Sequence, residues 1–167
     1  AHRMVHEGLG FVPQTENVFA PLTVAENLEL AASVAKMPRT RLDALYALFP
    51  DLDRARHTDA GRLSGGQRQM LAMARALVPS PRAIILDEPS AGLSPKLVAH
   101  AFDKLREIAG GGVAVLLIEQ NVKAALAIAS RTAVLVEGRE RVVAPSAELA
   151  RPGVLEELFF PPAESAA

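Results

Sequence analysis

A chain of 167 residues, 50% of them hydrophobic, is long enough to bury a core and too apolar to remain disordered. Its formal net charge of −1 excludes a broad footprint on nucleic acid or an anionic membrane, though not a local one. With no cysteine it makes no disulfide and no thiolate metal site, which fits a reducing compartment.

Taken in chain order, the apolar run Leu9 to Val12 reads as a short strand. Pro13 ends it, and Gln14 opens a loop. Thr23 and Glu26 have capping-box spacing, so a helix is expected over "TVAENLELAASVAK". Thr40 is expected to cap a second helix, "RLDALYALF", with Pro50 as its stop. Residues 51–62 are polar and read as a loop. A third, amphipathic helix follows in "LSGGQRQMLAMARAL", Leu63 to Leu77.

Beyond Pro79 and Pro81 the texture changes. "RAIILDEP" is continuously apolar until two acids and a proline, which suits a parallel strand covered on both faces. Ser94 and Pro95 suit the N-cap and first turn of "PKLVAHAFDKLREIA". Leu97, Val98, Ala101, Phe102, Leu105 and Ile108 form its expected buried stripe, and Gly110 its end. Val113 to Ile118 reads as a second buried strand, and Asn121 as the cap of the next helix. "TAVLV", a turn at Gly138 and "RVVA" read as a hairpin, with short helices near Ser146 and Pro152. This order predicts an α/β core with a mostly parallel sheet and an inserted helical segment over about residues 20–80. No apolar run approaches the roughly 18 residues of a membrane span. No signal peptide is visible, and a first residue of Ala rather than Met is expected of a trimmed product or a fragment.

Two stretches carry chemistry. In Leu63-Ser64-Gly65-Gly66-Gln67, Ser64 and Gln67 have capping-box spacing. A cap does not need two glycines between them. Bare backbone N–H groups at the positive end of a helix, beside a hydroxyl, suit a phosphate. Both readings stand on these residues alone. In Ile84-Ile85-Leu86-Asp87-Glu88-Pro89, two carboxylates end a strand, where ligands of open α/β sheets bind. They are hard oxygen ligands for Mg²⁺ and candidates for proton transfer; the plainer reading is a solvated acidic turn.

The two stretches together, joined by one amphipathic helix, resemble the nucleotide-binding subunit of ATP-binding cassette (ABC) transporters. "LSGGQ" matches the family signature, and "IILDEP" matches Walker B with its catalytic glutamate. "SAGLS", Ser90, Ala91, Gly92, Leu93 and Ser94, sits where the D-loop belongs, and "FVPQ" matches the Q-loop with Gln14. The resemblance implies a P-loop NTPase fold divided into a Q-loop region (1–19), a helical subdomain with the signature (20–80) and a core with C-terminal elements (81–167). It implies Glu88 as general base, Asp87 and Gln14 at Mg²⁺, and Gln120 in the switch. Leu63, Ser64, Gly65, Gly66, Gln67 and the segment Ser90 to Ser94 then face ATP held by an opposing subunit.

"NVFAPLTVAENL", "LYALFPDL" and "LIEQNVKAAL" are most similar to ATPases of branched-chain amino-acid importers, in the type with glutamine at the switch. The implied partners are a second ABC ATPase subunit, alike or different, permease subunits and, indirectly, a substrate-binding protein; nucleic acid is not among them. The implied place is the cytoplasmic face of the inner membrane. Two residues depart from the family: Ser94 stands where the D-loop usually has aspartate, and Gln120 where the switch usually has histidine. Glutamine donates a hydrogen bond but carries no charge.

No G-x-x-x-x-G-K-[ST] occurs, and none of Lys36, Lys96, Lys104 and Lys123 follows a glycine. The phosphate-cradling loop is expected upstream of Ala1, and the chain as given is expected to be inactive alone. The alternatives are a soluble, non-transport ABC ATPase, which would be expected to show a coiled-coil insertion or second cassette, and a non-catalytic fragment. His2, His6, His57 and His100 offer no metal-ligand spacing. Arg39, Arg41, Arg54, Arg56 and Arg62 read as a solvated face, with a permease or subunit contact as the sharper alternative.

Overall fold

The computed structural model describes residues 7–15 and 17–159, so His2 and His6 lie outside the described residues. The chain divides into two compact units, Ala1–Gln120 and Asn121–Ala167. In the first, three strands form one parallel sheet in the order β1-β2-β3: β1 (Leu9–Val12), β2 (Ala83–Asp87) and β3 (Ala114–Ile118). The helices are α1 (Val24–Ala35), α2 (Thr40–Leu48), α3 (Pro50–Arg54), α4 (Gly65–Leu77) and α5 (Pro95–Gly110).

In-register pairing carries Val12 beside Leu86 and Leu86 beside Leu117. Val12, Ile84 and Leu86 are buried on one face of the sheet. α4 packs on β1 and α5 on β3. The core continues through Leu71, Met73, Val78, Phe102 and Leu105. β1 and α4 meet at backbone distance: a Cβ on Gly10 would lie 2.7 Å from the Ala76 carbonyl oxygen. Gly10→Ala therefore forces two main chains apart, and overpacking of this kind costs about 1–3 kcal/mol. The urea midpoint is expected to fall accordingly; an unchanged midpoint would show that α4 yields freely.

The opposite face is open. Phe11, Leu116 and Ile118 are 43%, 57% and 47% exposed. β3 is thus not the buried strand its composition predicts. Val115 and Leu117, on its packed side, are half-buried, while Leu116 and Ile118 stand on the open side.

α1 begins as expected, with a complete capping box between Thr23 and Glu26. Other boundaries differ from expectation. Thr40 is the first residue of α2 rather than its cap; the preceding Arg39 is already helical and makes no side-chain cap. Pro50 starts a helix instead of only ending one, because proline at the first helical position loses no needed N–H. The expected loop 51–62 therefore holds most of α3 and a 3₁₀ turn at Ala60–Arg62. Ser94 occupies the N-cap of α5 without a side-chain cap bond, and Leu97 and Val98 are only half-buried. Gly110 is the last residue inside α5, and Gly112 takes the left-handed φ of +90°.

The arginine-rich stretch is largely committed within the chain. Arg41 donates to the Leu77 carbonyl at 2.8 Å, capping the end of α4. Arg54 pairs with Asp51, and Arg56 pairs with Asp53 and lies over the Tyr46 ring at 3.8 Å. Arg39 and Arg62 are exposed.

The second unit contains α6 (Val122–Leu126), β4 (Arg131–Val136), β5 (Arg139–Pro145), α7 (Ser146–Leu149) and α8 (Val154–Phe159). Asn121 Oδ1 caps α6 by accepting from the Ala124 N–H. β4 and β5 pair antiparallel. Their turn is Glu137-Gly138, with φ of 52° and 74°; two successive positive φ values are what a tight hairpin requires.

Candidate functional site

Parallel strands end on the same edge of a sheet, and here each end delivers a polar group. Gln14 follows β1, Glu88 follows β2, and Glu119-Gln120 follows β3. The three positions converge on one carboxylate. Gln14 Nε2 donates to Glu88 Oε2 at 2.8 Å, and Gln120 Nε2 donates to Glu88 Oε1 at 2.5 Å. Glu88 has a φ of 44°, a left-handed conformation rarely adopted outside glycine. Its N–H donates to the Ile118 carbonyl at 2.9 Å. Conformations of this kind cost on the order of 1–3 kcal/mol and persist where neighbours over-determine them.

A carboxylate offers about four lone-pair positions. Two are engaged by the amides, which leaves Glu88 able to accept from a water molecule. Neither glutamine amide is a base at neutral pH, so Glu88 alone of the three can take a proton. Gln14 uses its NH₂ on Glu88, and its carbonyl oxygen is the atom able to serve a cation. Asp87, half-buried at the last position of β2, adds a carboxylate oxygen. Among the described residues no group of three or more His, Cys, Asp or Glu could hold a metal. One carboxylate and one amide oxygen fit Mg²⁺, which keeps waters and takes further oxygens from phosphates.

The start of α4 shows its cap in full. Ser64 Oγ accepts from the Gln67 N–H at 3.2 Å, and Gln67 Oε1 accepts from the Ser64 N–H at 3.0 Å. Leu63 is buried, Ser64 exposed and Gly65 half-buried. Gly66 is buried, and a Cβ there would lie 2.8 Å from Leu97 Cδ2. Its lack of a side chain thus also lets Leu97 of α5 lie against α4.

The segment Ser90 to Ser94 lies beside both features. Ser90 donates to Glu119 twice, from its N–H at 2.9 Å and from Oγ at 2.8 Å. The Ala91 N–H donates to the Glu88 carbonyl at 3.0 Å, and Leu93 packs toward Gly65. Ala91, Gly92 and Ser94 are exposed, and Gly92 has a φ of 71°.

Other residues that hold the site went unread in the sequence. The loop after Gln14 is pinned by fully buried Asn27, whose Nδ2 lies 2.9–3.2 Å from the Phe19, Leu22 and Thr23 carbonyls. Asn27 Oδ1 accepts from the Phe19 N–H. From α4, Arg75 donates to the Asn17 carbonyl at 2.5 Å and lies over the Phe19 ring at 4.4 Å. Burial holds the Arg75 guanidinium below its ordinary pKa. The available signal was a polar residue interrupting an apolar helical stripe. Next to this loop lies a cleft of about 400 Å³ lined by Phe11, Phe19, Leu30, Val34, Arg75 and Pro79. His57 and His100 are exposed, as expected of scattered surface histidines.

Solved structures similar to this chain include ATP-binding cassettes. The chain aligns with a nucleotide-free ATP-binding cassette from an ABC transporter at a TM-score of 0.76 and 24% identity, over 93% of this chain and 70% of that one. With the ADP conformation of MJ1267, an ATP-binding cassette of an ABC transporter, the TM-score is 0.77 at 25% identity, over 93% and 69%. The molecule is therefore an α/β chain of the P-loop NTPase class. It belongs to the ABC transporter family, whose model matches residues 1–91.

Among curated relatives, a probable branched-chain amino acid transport ATP-binding protein LivF of Archaeoglobus fulgidus is 45% identical over 83% of this chain and 60% of that protein. The high-affinity branched-chain amino acid transport ATP-binding protein BraG of Pseudomonas aeruginosa is 38% identical over 81% and 59%. A lipopolysaccharide export system ATP-binding protein LptB of Acidithiobacillus ferridurans is 35% identical over 83% and 58%. The chain spans about three fifths of the length of these relatives.

Proposed function

We propose that this chain forms part of the ATP-hydrolysing subunit of an ABC importer for branched-chain amino acids. The observation that carries the proposal is Glu88, held by Gln14 and Gln120 at the carboxyl edge of a parallel sheet. Glu88 is the general base that takes a proton from the attacking water. Asp87 and the Gln14 carbonyl oxygen hold Mg²⁺, which when bound neutralises charge on the phosphate oxygens. Gln120 stands in the switch and orients Glu88 by donating to it, a role that needs no charge. Leu63 to Gln67 and Ser90 to Ser94 face the nucleotide of a second ATPase subunit. Residues 1–19, 20–80 and 81–167 serve as Q-loop region, helical subdomain and core.

The relatives named for branched-chain amino-acid transport support that substrate over lipopolysaccharide, since their identity to this chain is higher. No described helix is long and apolar enough to cross a membrane. In this reading permease subunits are partners, met at the cytoplasmic face of the membrane. The cleft beside the Gln14 loop, where Val34 is 72% exposed, suits an apolar permease segment.

Gln14 touches the base and opens the loop that Asn27 and Arg75 tie to α1 and α4. Gln14→Ala is therefore expected to lower the amino acid moved per ATP hydrolysed by about fivefold or more, within the usual range of coupling free energies. ATP affinity should change far less. Uptake and phosphate release by the assembled importer in proteoliposomes give the ratio. An unchanged ratio would contradict Gln14 as the link.

A further inference from the structure

We propose that Glu119 is a positioning residue for Glu88, acting through Ser90. Three successive residues at the end of β3 grip the turn that carries the base. The Ile118 carbonyl accepts from the Glu88 N–H at 2.9 Å. Glu119 accepts from Ser90 twice, its Oε1 from the N–H at 2.9 Å and its Oε2 from Oγ at 2.8 Å. Gln120 donates to the Glu88 carboxylate. The left-handed φ of 44° at Glu88 needs such support from both sides of the residue. Glu119 supplies it two residues downstream.

The contact has a second consequence. Ser90 begins the exposed segment that ends at Ser94, and Leu93 in that segment packs toward Gly65 at the start of α4. A shift of Ser90 to Ser94 against a neighbouring subunit is thus passed to Glu119, which directly precedes Gln120. The two-pronged carboxylate makes Ser90 and the switch move together.

This inference rests on Glu88 being the hydrolytic base, and the experiment separates the two. Steady-state phosphate release is measured on the assembled transporter, its ATPase subunit at full length with a phosphate loop, in wild-type, Glu88→Gln, Glu119→Ala, Glu119→Gln and Ser90→Ala forms. Glu119→Ala is expected to lower kcat about tenfold or more while KM for ATP stays within about twofold, the pattern of an interaction needed for turnover and not for binding. Glu119→Gln should recover most of kcat, because its carbonyl oxygen accepts from the Ser90 N–H and its NH₂ donates to Ser90 Oγ. Ser90→Ala should lower kcat by less, and combining it with Glu119→Ala should add little, as expected of residues that share one contact.

Wild-type kcat in Glu119→Ala overturns the proposal. So does a failure of Glu119→Gln to recover turnover. Should Glu119→Ala not fold, Ser90→Ala decides, and wild-type kcat there overturns the proposal. Turnover that persists in Glu88→Gln overturns the hydrolytic reading itself. Turnover lost in Glu88→Gln but untouched at Glu119 and Ser90 overturns only this inference.

Discussion

Glu88→Gln is expected to lower ATP turnover by the assembled transporter about 10²–10⁴-fold, the usual cost of losing a general base, while nucleotide binding persists. The substitution keeps the length and shape of the side chain. It removes the only carboxylate among Gln14, Glu88 and Gln120, and an amide is no general base. It also disturbs the clamp. The carboxylate accepts from both amides, at 2.8 and 2.5 Å, whereas a glutamine there offers one acceptor oxygen and sets an NH₂ against another NH₂. Turnover should fall in kcat, with ATP affinity measured by equilibrium binding little changed. Retention of most activity would show that Glu88 is not the base.

How far these features can be read from the chain depends on the range of the signal. The caps of α1 and α4 are local, three residues from Thr23 to Glu26 and from Ser64 to Gln67, and both form as expected. The hairpin turn at Gly138 is local as well. α3 was hidden because Pro50 both breaks one helix and begins another. The apolar run of β3 predicts cover on both faces, yet Leu116 and Ile118 stand open. A run of apolar residues reports what a strand can bury, not what lies against it.

The site shows the same division. Asp87 and Glu88 stand out as two acids ending an apolar run, and Gln14 as the residue after a strand-ending proline. Their meeting does not stand out: Gln14 and Glu88 are 74 residues apart, and Glu119 and Ser90 are 29 apart. Only the parallel order of the sheet brings them to one edge. Arg75 and Gly10 act through contacts to main chain of distant segments, and no residue spacing encodes such contacts.

The 167-residue chain by itself is expected to release no phosphate from Mg-ATP. It holds the base in a fixed clamp, but it contains no G-x-x-x-x-G-K-[ST] loop to hold the phosphates of its own nucleotide. Lys104 is already engaged with the Leu48 carbonyl and Glu107, and Lys36 and Lys96 are exposed and follow no glycine. Positioning of reactants supplies up to roughly 7–11 kcal/mol of a catalysed barrier, and that contribution is forfeited when the γ-phosphate is not anchored. Phosphate release is therefore to be measured for the purified chain alone and for the chain joined at its N-terminus to a strand and phosphate loop, each beside its Glu88→Gln variant. The account predicts silence from the chain alone and turnover in the joined protein that Glu88→Gln abolishes. Turnover by the chain alone that disappears in its Glu88→Gln variant, or turnover in the joined protein that survives the substitution, would contradict it.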